Sequence, residues 1–380
     1  MKKIIVCFFA NVILFSSCSV IHKASQQKVV SINSVKYLGG YEVPYNMQFK
    51  GTTVGGLSGI DYDSYSNVYY LISDDRSNEN PARFYTANIS ISQKGIDSVQ
   101  FVNVTALLQK DGSVFPSSKK DPAHSPDPEA LRYNPLTNQL VWTSEGERIV
   151  KKEIVLEEPA ITIIDKAGKY IDTFPLPSQT HMYATEKGLR QNSVFEGLAF
   201  ADNFKTMYVS VEEPLYEDGP RAGLQDADAY TRIIKYDALS RKPVAQYAYR
   251  LEPVAHPPIP VNEFMVNGIP DIISAGKNKL LVIERSFSTG IQVCTIRVYI
   301  TDLSNASDIS GLISLREQSF KQPAAKKLLV NMDDLGIYID NIEGVTFGPD
   351  LPNGHKTLIF VSDNNFSKNQ KTQFLLFEVN

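Results

Sequence analysis

The sequence is poor in cysteine, and its cysteines leave no pair for a disulfide within the mature chain. Of 380 residues, three are cysteine: Cys7, Cys18 and Cys294. The first two fall in an apolar N-terminal segment that we expect to be processed, so Cys294 is left alone. It lies in the alternating run IQVCTIRVYI, which predicts a small buried side chain and not a reactive thiol. The fold must therefore be stabilised by packing.

Three further absences narrow the class of protein. With 38 basic and 42 acidic residues, the chain has no lysine or arginine run long enough to follow a phosphate backbone, so we expect no binding to nucleic acid. Long helical periodicity is missing, which leaves room only for short helices in loops. Beyond the N-terminus, no apolar run is long enough to span a membrane.

The N-terminus has the pattern of an export signal. Lys2 and Lys3 precede an apolar stretch from Ile4 to Phe15, and Phe15-Ser16-Ser17-Cys18 is similar to a bacterial lipobox, whose cysteine becomes lipidated. An ordinary cleaved signal with an incidental cysteine is the alternative. We predict a signal peptide over residues 1–18, a polar, flexible tether over 19–33 and one domain over 34–380. The protein is then exported and held by lipid at Cys18 in the bacterial cell envelope, in the periplasm or on the outer surface.

An internal repeat dominates the rest of the chain. Each copy has a polar or acidic residue next to a small one, a short apolar strand, a turn, and an aliphatic strand that ends in acids. The copies are LSGIDYDSYSNVYYLISDDRS (57–77), PEALRYNPLTNQLVWTSEGER (128–148), FEGLAFADNFKTMYVSVEEP (195–214), IPDIISAGKNKLLVIERSF (269–287) and IEGVTFGPDLPNGHKTLIFVSDNNF (342–366). Their opening residues, at 58, 129, 196, 271 and 343, are separated by 71, 67, 75 and 72 residues. Such a near-constant period indicates modules of one shape.

Alternating runs rich in β-branched and aromatic residues lie between the copies, so each module has about four strands. Radially repeated four-stranded modules are typical of a β-propeller. We therefore predict an all-β fold with five blades, or six if a long connection hides another. The segment VKYLGGYEV (35–43) is placed to complete the last blade and close the ring.

The repeated acids are predicted to converge near the propeller axis. The first strand of each blade lines the channel, which places Ser58, Glu129, Glu196, Asp271 and Glu343 in an inner ring. Acids that end the second strand would lie near one rim. Such a ring is unstable unless protons, arginine partners or a cation neutralise it. We predict a cation, and calcium suits an all-oxygen site. The predicted metal ligands are Asp74, Glu129, Glu145, Glu196, Glu212, Asp271 and Glu343.

With these residues identified, the chain resembles the bacterial phytase-like family described as having esterase-like activity. The resemblance covers about residues 40–380. It rests on the motifs Gly56-Leu57-Ser58-Gly59-Ile60, Ser73-Asp74-Asp75-Arg76, Asp127-Pro128-Glu129-Ala130-Leu131, Ser144-Glu145-Gly146, Glu196-Gly197-Leu198, Glu284-Arg285 and Asn341-Ile342-Glu343-Gly344-Val345.

The resemblance implies a metal-assisted hydrolase of a small phosphoester or carboxylic ester. Glu129 and Glu196 would then act with Arg76, Arg148 and Arg285, which neutralise developing charge. The same arginines would equally suit salt bridges between blades. Two other functions stay open: a non-catalytic propeller that binds a ligand or protein, and a lactonase-type propeller. The latter would use a single calcium held by channel acids and by asparagines such as Asn267 and Asn341. We expect a monomer.

Two further features bear on the site. Gly56-Leu57-Ser58-Gly59 lacks the spacing of a nucleophile elbow, so Ser58 is interpreted as a channel-lining residue and not as a nucleophile. The loops 116–129 and 213–230 are long for blade connections, and we expect them to shape a substrate pocket, with Tyr216 and Arg221 as contacts.

Overall fold

A computed structural model describes residues 30–380 and shows five sheets arranged around a central channel. The prediction of an all-β propeller with five blades is confirmed, and the described chain contains no sixth blade. The 3-10 turn Met332–Leu335 is the single helical element within residues 30–380. No helix of this part of the chain is long and apolar enough to cross a bilayer.

The first two blades are antiparallel sheets in which successive strands lie progressively farther from the channel. Blade 1 contains β4 (Leu57–Asp63), β5 (Val68–Ser73), β6 (Arg83–Ser92) and β7 (Gly95–Ala106). Blade 2 contains β8 (Pro128–Asn134), β9 (Gln139–Ser144), β12 (Ala160–Ile164) and β13 (Tyr170–Thr173). Two small hairpins lie outside the blades: β2 (Gln48–Phe49) with β3 (Thr52–Thr53), and β10 (Glu147–Val150) with β11 (Ile154–Glu157).

The third and fourth blades follow the same order, but the innermost strand of blade 4 is interrupted. Blade 3 contains β14 (Phe195–Ala201), β15 (Thr206–Val211), β16 (Tyr230–Asp237) and β17 (Pro243–Arg250). Blade 4 contains β18 (Met265–Gly268), β19 (Ile272–Gly276), β20 (Lys279–Ser288), β21 (Thr295–Asp302) and β22 (Ala325–Asn331). Both β18 and β19 pair with β20, so together they fill the place that one strand takes in the other blades.

The fifth blade closes the ring with strands from both ends of the described chain. It contains β23 (Asn341–Phe347), β24 (Thr357–Asp363), β25 (Thr372–Val379) and β1 (Val35–Val43). The pairing of β1 with β25 is antiparallel and runs from Val35 opposite Val379 to Val43 opposite Thr372. The predicted role of residues 35–43 is thus confirmed. This closure protects the edge of β25, which would otherwise expose unpaired backbone groups.

The apolar core lies between the blades and not in the channel. Five buried clusters each combine side chains from two neighbouring blades, and together they cover every junction of the ring. This distribution follows from the sequence pattern, because the two faces of an inner strand both contact other sheets. Accordingly, every residue of β8 and β14 is buried. Cys294 is buried in the cluster between blades 4 and 5, as predicted for a small core side chain.

The described chain begins beside blade 4. The backbone N–H of Val30 donates to the carbonyl of Ala275, and the N–H of Asn33 donates to the carbonyl of Asn380 at 2.8 Å. Residues 30–33, which fall in the predicted tether, therefore contact the propeller. The predicted signal peptide, the lipidation site Cys18 and the rest of the tether lie outside the described residues.

Candidate metal centre

A cavity of about 260 Å³ lies at the end of the channel where the innermost strands begin. Its lining is almost entirely charged, with seven carboxylates, two guanidinium groups and one amide. The lining residues are Asp74, Arg76, Asp127, Glu129, Glu145, Asn192, Glu196, Glu212, Arg285 and Glu343. All five blades contribute to this set, which explains why no local motif in the sequence contains the site.

A repeated β-bulge places the inner acids. In blades 1, 2, 3 and 5, the pairing of the first two strands shifts by one residue near the start of the innermost strand. Ser58, Glu129, Glu196 and Glu343 lie within these shifts. A bulge of this kind bends the strand and re-aims a side chain, and bulges are frequent beside functional sites. The bulge thus directs three of the repeated acids into the cavity.

Close packing between blades explains the small residue that follows each opening position of the repeat. A Cβ atom on Gly197 would lie 2.8 Å from the backbone nitrogen of Ile272 in the next blade. A Cβ on Gly59 would lie 2.8 Å from the carbonyl oxygen of Glu129. Inner strands of neighbouring blades therefore approach so closely that a larger side chain at this position would separate them.

The acids that end the second strands are held at the same level. The N–H of Asp74 donates to the Gly56 carbonyl at 2.6 Å, and the N–H of Glu212 donates to the Val194 carbonyl at 2.8 Å. In blade 2, the N–H of Glu145 donates to the Asp127 carbonyl at 3.0 Å. Each bond ties the end of a second strand to the chain just before the first strand. The two sets of acids consequently meet at one rim.

Burial and mutual repulsion disfavour the ionised forms of these acids. Burial raises the pKa of Glu145 to about 8, and the charges of Asp127 and Glu212 add to this effect. The pKa of Glu129 is raised well above its ordinary value by burial and then by the charge of Glu196. For Glu196 itself, burial and the charge of Glu145 raise the pKa in the same way. The cavity thus needs protons or cations to hold its carboxylates together.

Two arginines line the cavity and also join blades. Nη1 of Arg76, from blade 1, lies 2.6 Å from a carboxylate oxygen of Glu147, in the hairpin of β10 and β11 that follows β9 of blade 2. In blade 4, Arg285 contacts Glu212 of blade 3 at 2.8 Å and Glu343 of blade 5 at 3.3 Å. Arg76 and Arg285 therefore form the salt bridges that the sequence suggested, and both also line the acidic cavity. Their role in neutralising developing charge stays a prediction.

The structure places two of the predicted site residues elsewhere. Both carboxylate oxygens of Asp271 accept hydrogen bonds at 2.7 Å from Nη2 of Arg132, which crosses the channel below the cavity. Asp271 lies in the interruption between β18 and β19, so it lacks the bulge that aims the other acids. Arg148 donates to the carbonyls of Tyr183 and Thr185 and does not line the cavity. Neither residue is positioned to share a cation with the cavity acids.

The other residues singled out in the sequence are engaged in internal contacts. Ser58 donates its hydroxyl to the Glu129 carbonyl at 2.8 Å, which joins blades 1 and 2. Asn267 donates to the Glu284 carboxylate, whereas Asn341 donates to Glu343 at 2.8 Å. In the loop 213–230, Arg221 pairs with Glu213 at 2.5 Å. Tyr216 is also engaged, because the guanidinium groups of Arg148 and Arg190 lie over its ring, with their Cζ atoms 5.1 and 4.3 Å from the ring centroid.

Sequence reasoning missed two cavity residues, Asp127 and Asn192. Asp127 precedes the repeat copy of blade 2 by one residue, and no other blade has an acid there in register. Its position within the motif Asp127-Pro128-Glu129 was a usable signal. Asn192 comes from an irregular segment before β14, and nothing in its surroundings distinguishes it from an ordinary loop residue.

Two groups of cavity acids have the geometry of metal ligands. In each group, one carboxylate oxygen per residue lies within 4.8 Å of the corresponding oxygens of the other two. The groups are Asp74 with Asp127 and Glu129, and Glu129 with Glu145 and Glu196. Their donors are all hard oxygen atoms, which is the ligand type that calcium prefers. The residues present could therefore hold a metal ion.

Fold and site together define a five-bladed propeller with an acidic centre assembled from all blades. The chain belongs to the phytase-like family described as "Esterase-like activity of phytase", whose family model matches residues 52–366. This membership establishes the family that the sequence motifs indicated. A comparison with curated proteins found no match.

Solved structures show only a distant likeness of fold. An exo-β-1,3-galactanase from Phanerochaete chrysosporium has a TM-score of 0.46 at 10% identity, with 91% of this chain and 64% of the galactanase covered. The chain thus spans less than two thirds of that enzyme. A periplasmic gluconolactonase from Pseudomonas aeruginosa has a TM-score of 0.36 at 9% identity and 87% coverage of both chains. A gluconolactonase from Xanthomonas campestris has a TM-score of 0.34 at 9% identity, with 93% and 99% covered.

The placement of Asp271 leads to a first prediction. Asp271→Asn should leave calcium affinity unchanged but destabilise the fold by about 3–5 kcal/mol, because it leaves the buried guanidinium of Arg132 without its carboxylate. Glu196→Gln should instead lower calcium affinity without destabilising the fold, since it removes a cavity charge that is disfavoured in the cation-free protein. Calorimetric calcium titration and urea unfolding of both variants would measure this contrast. Equal losses of calcium affinity in the two variants would contradict it.

The raised pKa of Glu145 leads to a second prediction, on stability and pH. Because folding raises this pKa from 4.5 to about 8, folding favours the protonated carboxyl, and its stabilising effect is lost as pH rises through that interval. Chelated protein should therefore melt at a lower temperature above pH 8 than near pH 5. Added calcium should raise the melting temperature mainly at the higher pH.

Glu145→Gln provides the matched control for this pH effect, because glutamine keeps the shape of the side chain without its titration. Its melting temperature in chelator should depend less on pH than that of the unaltered protein. Scanning calorimetry at both pH values measures the difference. An unchanged pH dependence in the variant would assign the effect to other groups.

Proposed function

We propose that this protein is a metal-dependent hydrolase that binds calcium in the acidic cavity and cleaves a small phosphoester or other ester there. The observation that supports the proposal best is the composition of the cavity, with seven carboxylates and two arginines facing one space of about 260 Å³. Carboxylates alone would suffice to store a cation. The arginines add donors for a negatively charged group, which a hydrolase of phosphoesters requires.

Glu129 and Glu196 would hold the cation. When bound, a divalent cation polarises a phosphoryl or carbonyl oxygen and makes bound water more acidic. The bulges in β8 and β14 fix the direction of both side chains before any ligand arrives. Such preorganisation reduces the rearrangement needed in the transition state.

The arginines are placed to bind the anionic part of the substrate. Nη2 of Arg76 and Nε of Arg285 are buried nitrogen atoms with no hydrogen-bond acceptor among residues 30–380. Ion pairs with Glu147 and Glu212 hold the two side chains in position through their other nitrogen atoms. The remaining N–H groups would donate to a phosphate, which forms strong charge-assisted hydrogen bonds with arginine. This feature favours a phosphoester over an uncharged ester.

The lactonase-type alternative has less support from the geometry. It used asparagines beside the channel acids as calcium ligands, yet Asn267 is bonded to Glu284 and does not line the cavity. Asn341 contacts Glu343 and Arg285 but does not line the cavity. A lactone panel in the activity assay therefore serves as a comparison.

The proposed activity generates a third prediction. The full chain, purified in mild detergent, should hydrolyse phytate or aryl phosphates with calcium present and lose this activity in chelator. Glu196→Gln should reduce the rate by about 100-fold or more, by analogy with the loss of one electrostatic group in other active sites. Glu153→Gln, at an exposed position that does not line the cavity, is the matched control. Release of phosphate, aryl alcohol or hydroxy acid is the measurement.

Absence of turnover on phosphoesters, aryl esters and lactones by a folded, calcium-loaded protein would refute the hydrolase. It would support the non-catalytic propeller that binds a ligand or partner protein. Turnover that persists in chelator would instead refute the role of the metal.

We also propose how the propeller is oriented at the envelope. Val30 lines a second cavity, of about 1030 Å³, at the channel mouth opposite the acidic one. If lipid is attached at Cys18, only residues 19–29 separate it from Val30, and even fully extended they span at most about 40 Å. A domain of this size has a radius of gyration of about 20 Å. The acidic mouth would therefore face away from the membrane, open to soluble substrate.

Cysteine reporters give a fourth prediction, on this orientation. A fluorophore at Lys277→Cys, which lines the opposite cavity, should be quenched by nitroxide-labelled lipid headgroups more than one at Lys119→Cys. Lys119 lies in the loop that contacts Arg76 through the N–H of Ser118. Cys18→Ala should move the protein from the membrane fraction to the soluble fraction. Membrane retention of this variant would refute the anchor, and equal quenching at both positions would refute the orientation.

A further inference from the structure

The charge balance of the acidic cavity exceeds what one divalent cation neutralises. Seven carboxylates and two guanidinium groups leave a formal excess of five negative charges when all are ionised. One divalent cation would leave three of these charges in a buried space, whereas two would leave one. Buried excess charge is costly unless it is paired. The lining thus favours two cations over one.

The geometry divides the acids in the same way. The two groups with metal-ligand geometry have one member in common, and that member is Glu129. Asp74 and Asp127 lie on one side of it, and Glu145 and Glu196 lie on the other. Ligand oxygens on opposite sides of a calcium ion are at most about 5 Å apart, given bond lengths of 2.3–2.6 Å. The spread of 4.8 Å in each group fits this limit.

Glu129 is also a buried acid whose carboxylate has no hydrogen-bond partner. The residue is 6% exposed and lines the cavity, yet no donor in residues 30–380 contacts its side-chain oxygens. By contrast, Glu145 accepts a hydrogen bond from the Val194 N–H at 2.6 Å. Buried polar groups normally have partners, so an unpartnered carboxylate directed into a cavity indicates a missing ligand. Because Glu129 is a member of both groups, its carboxylate is placed to serve both cations.

We infer that the cavity binds two divalent cations, bridged by the carboxylate of Glu129. Asp74 and Asp127 complete one site, and Glu145 and Glu196 complete the other. The inference rests on the cation-binding part of the proposed function and deepens it. In paired-metal sites of phosphoryl transfer, the two ions stabilise the attacking and the leaving oxygen, so this arrangement favours phosphoesters as the substrate class.

Stoichiometry is the direct test, and it does not depend on activity. Calcium binding by the full chain, measured by calorimetry and by metal analysis after dialysis, should give two equivalents. Asp127→Asn and Glu145→Gln should each reduce this to one, because each alters only one group. Glu129→Gln should weaken both sites by about tenfold or more, as expected when a shared ligand loses its charge. Glu153→Gln should retain two equivalents.

Manganese provides a second readout that is specific for the bridge. Two Mn²⁺ ions joined by one carboxylate couple magnetically, and their electron paramagnetic resonance spectrum differs from that of isolated ions. We expect the coupled spectrum in the unaltered chain and its loss in Glu129→Gln. Circular dichroism of each variant without metal checks that the propeller is intact. If Glu129→Gln fails to fold, the manganese spectrum of the unaltered chain alone decides whether the two ions are bridged.

The outcomes separate this inference from the proposed function. One calcium equivalent with metal-dependent hydrolysis would overturn the paired site and leave the hydrolase standing. Two equivalents with an uncoupled manganese spectrum would overturn the bridge. No calcium binding at all would overturn both proposals, whereas two coupled ions without turnover would support the paired site and refute the hydrolase.

Discussion

Repulsion among buried carboxylates is the constraint around which this propeller is organised. The fold brings acids from all five blades to one mouth of the channel, where burial and neighbouring charges raise the pKa values of Glu129, Glu145 and Glu196. Such a cluster lowers stability, so the packing between blades must offset its cost. The five apolar clusters at the blade junctions and the closure of the ring by β1 provide that packing. The acids are therefore tolerated because packing elsewhere stabilises the scaffold.

Ion pairs across the blades serve both the scaffold and the site. Arg76 and Arg285 neutralise part of the acidic charge and connect neighbouring sheets through Glu147, Glu212 and Glu343. Deeper in the channel, Arg132 pairs with Asp271 and lines the larger, opposite cavity. The molecule thus has two separate cavities of different character. The acidic one is small and charged, and the opposite one is larger and lies beside the start of the described chain.

Much of the fold was predictable because each blade is a local unit. The alternation of apolar residues and the period near seventy residues both arise from hydrogen bonding within one blade, which joins residues close in sequence. The positions of Glu129, Glu196 and Glu343 followed from the same register. Asp271 shows where this reasoning ends, because the spacing of thirteen residues from Asp271 to Glu284, against sixteen in blades 1 to 3, reflects a broken inner strand. Without the bulge, an acid in an equivalent repeat position points elsewhere.

The sequence by itself determined the strand pattern, the number of modules and the order of acids along each module, since these depend on contacts between near neighbours. Only the tertiary structure decided which acids share a cavity and which have an arginine partner. Arg132 and Asp271 are 139 positions apart, and each of the two groups around Glu129 joins two blades. No periodicity in the chain specifies such pairs, because they depend on how blades approach one another around the axis. For that physical reason, the cavity includes Asp127, which the repeat did not predict, and excludes Asp271, which the repeat did predict.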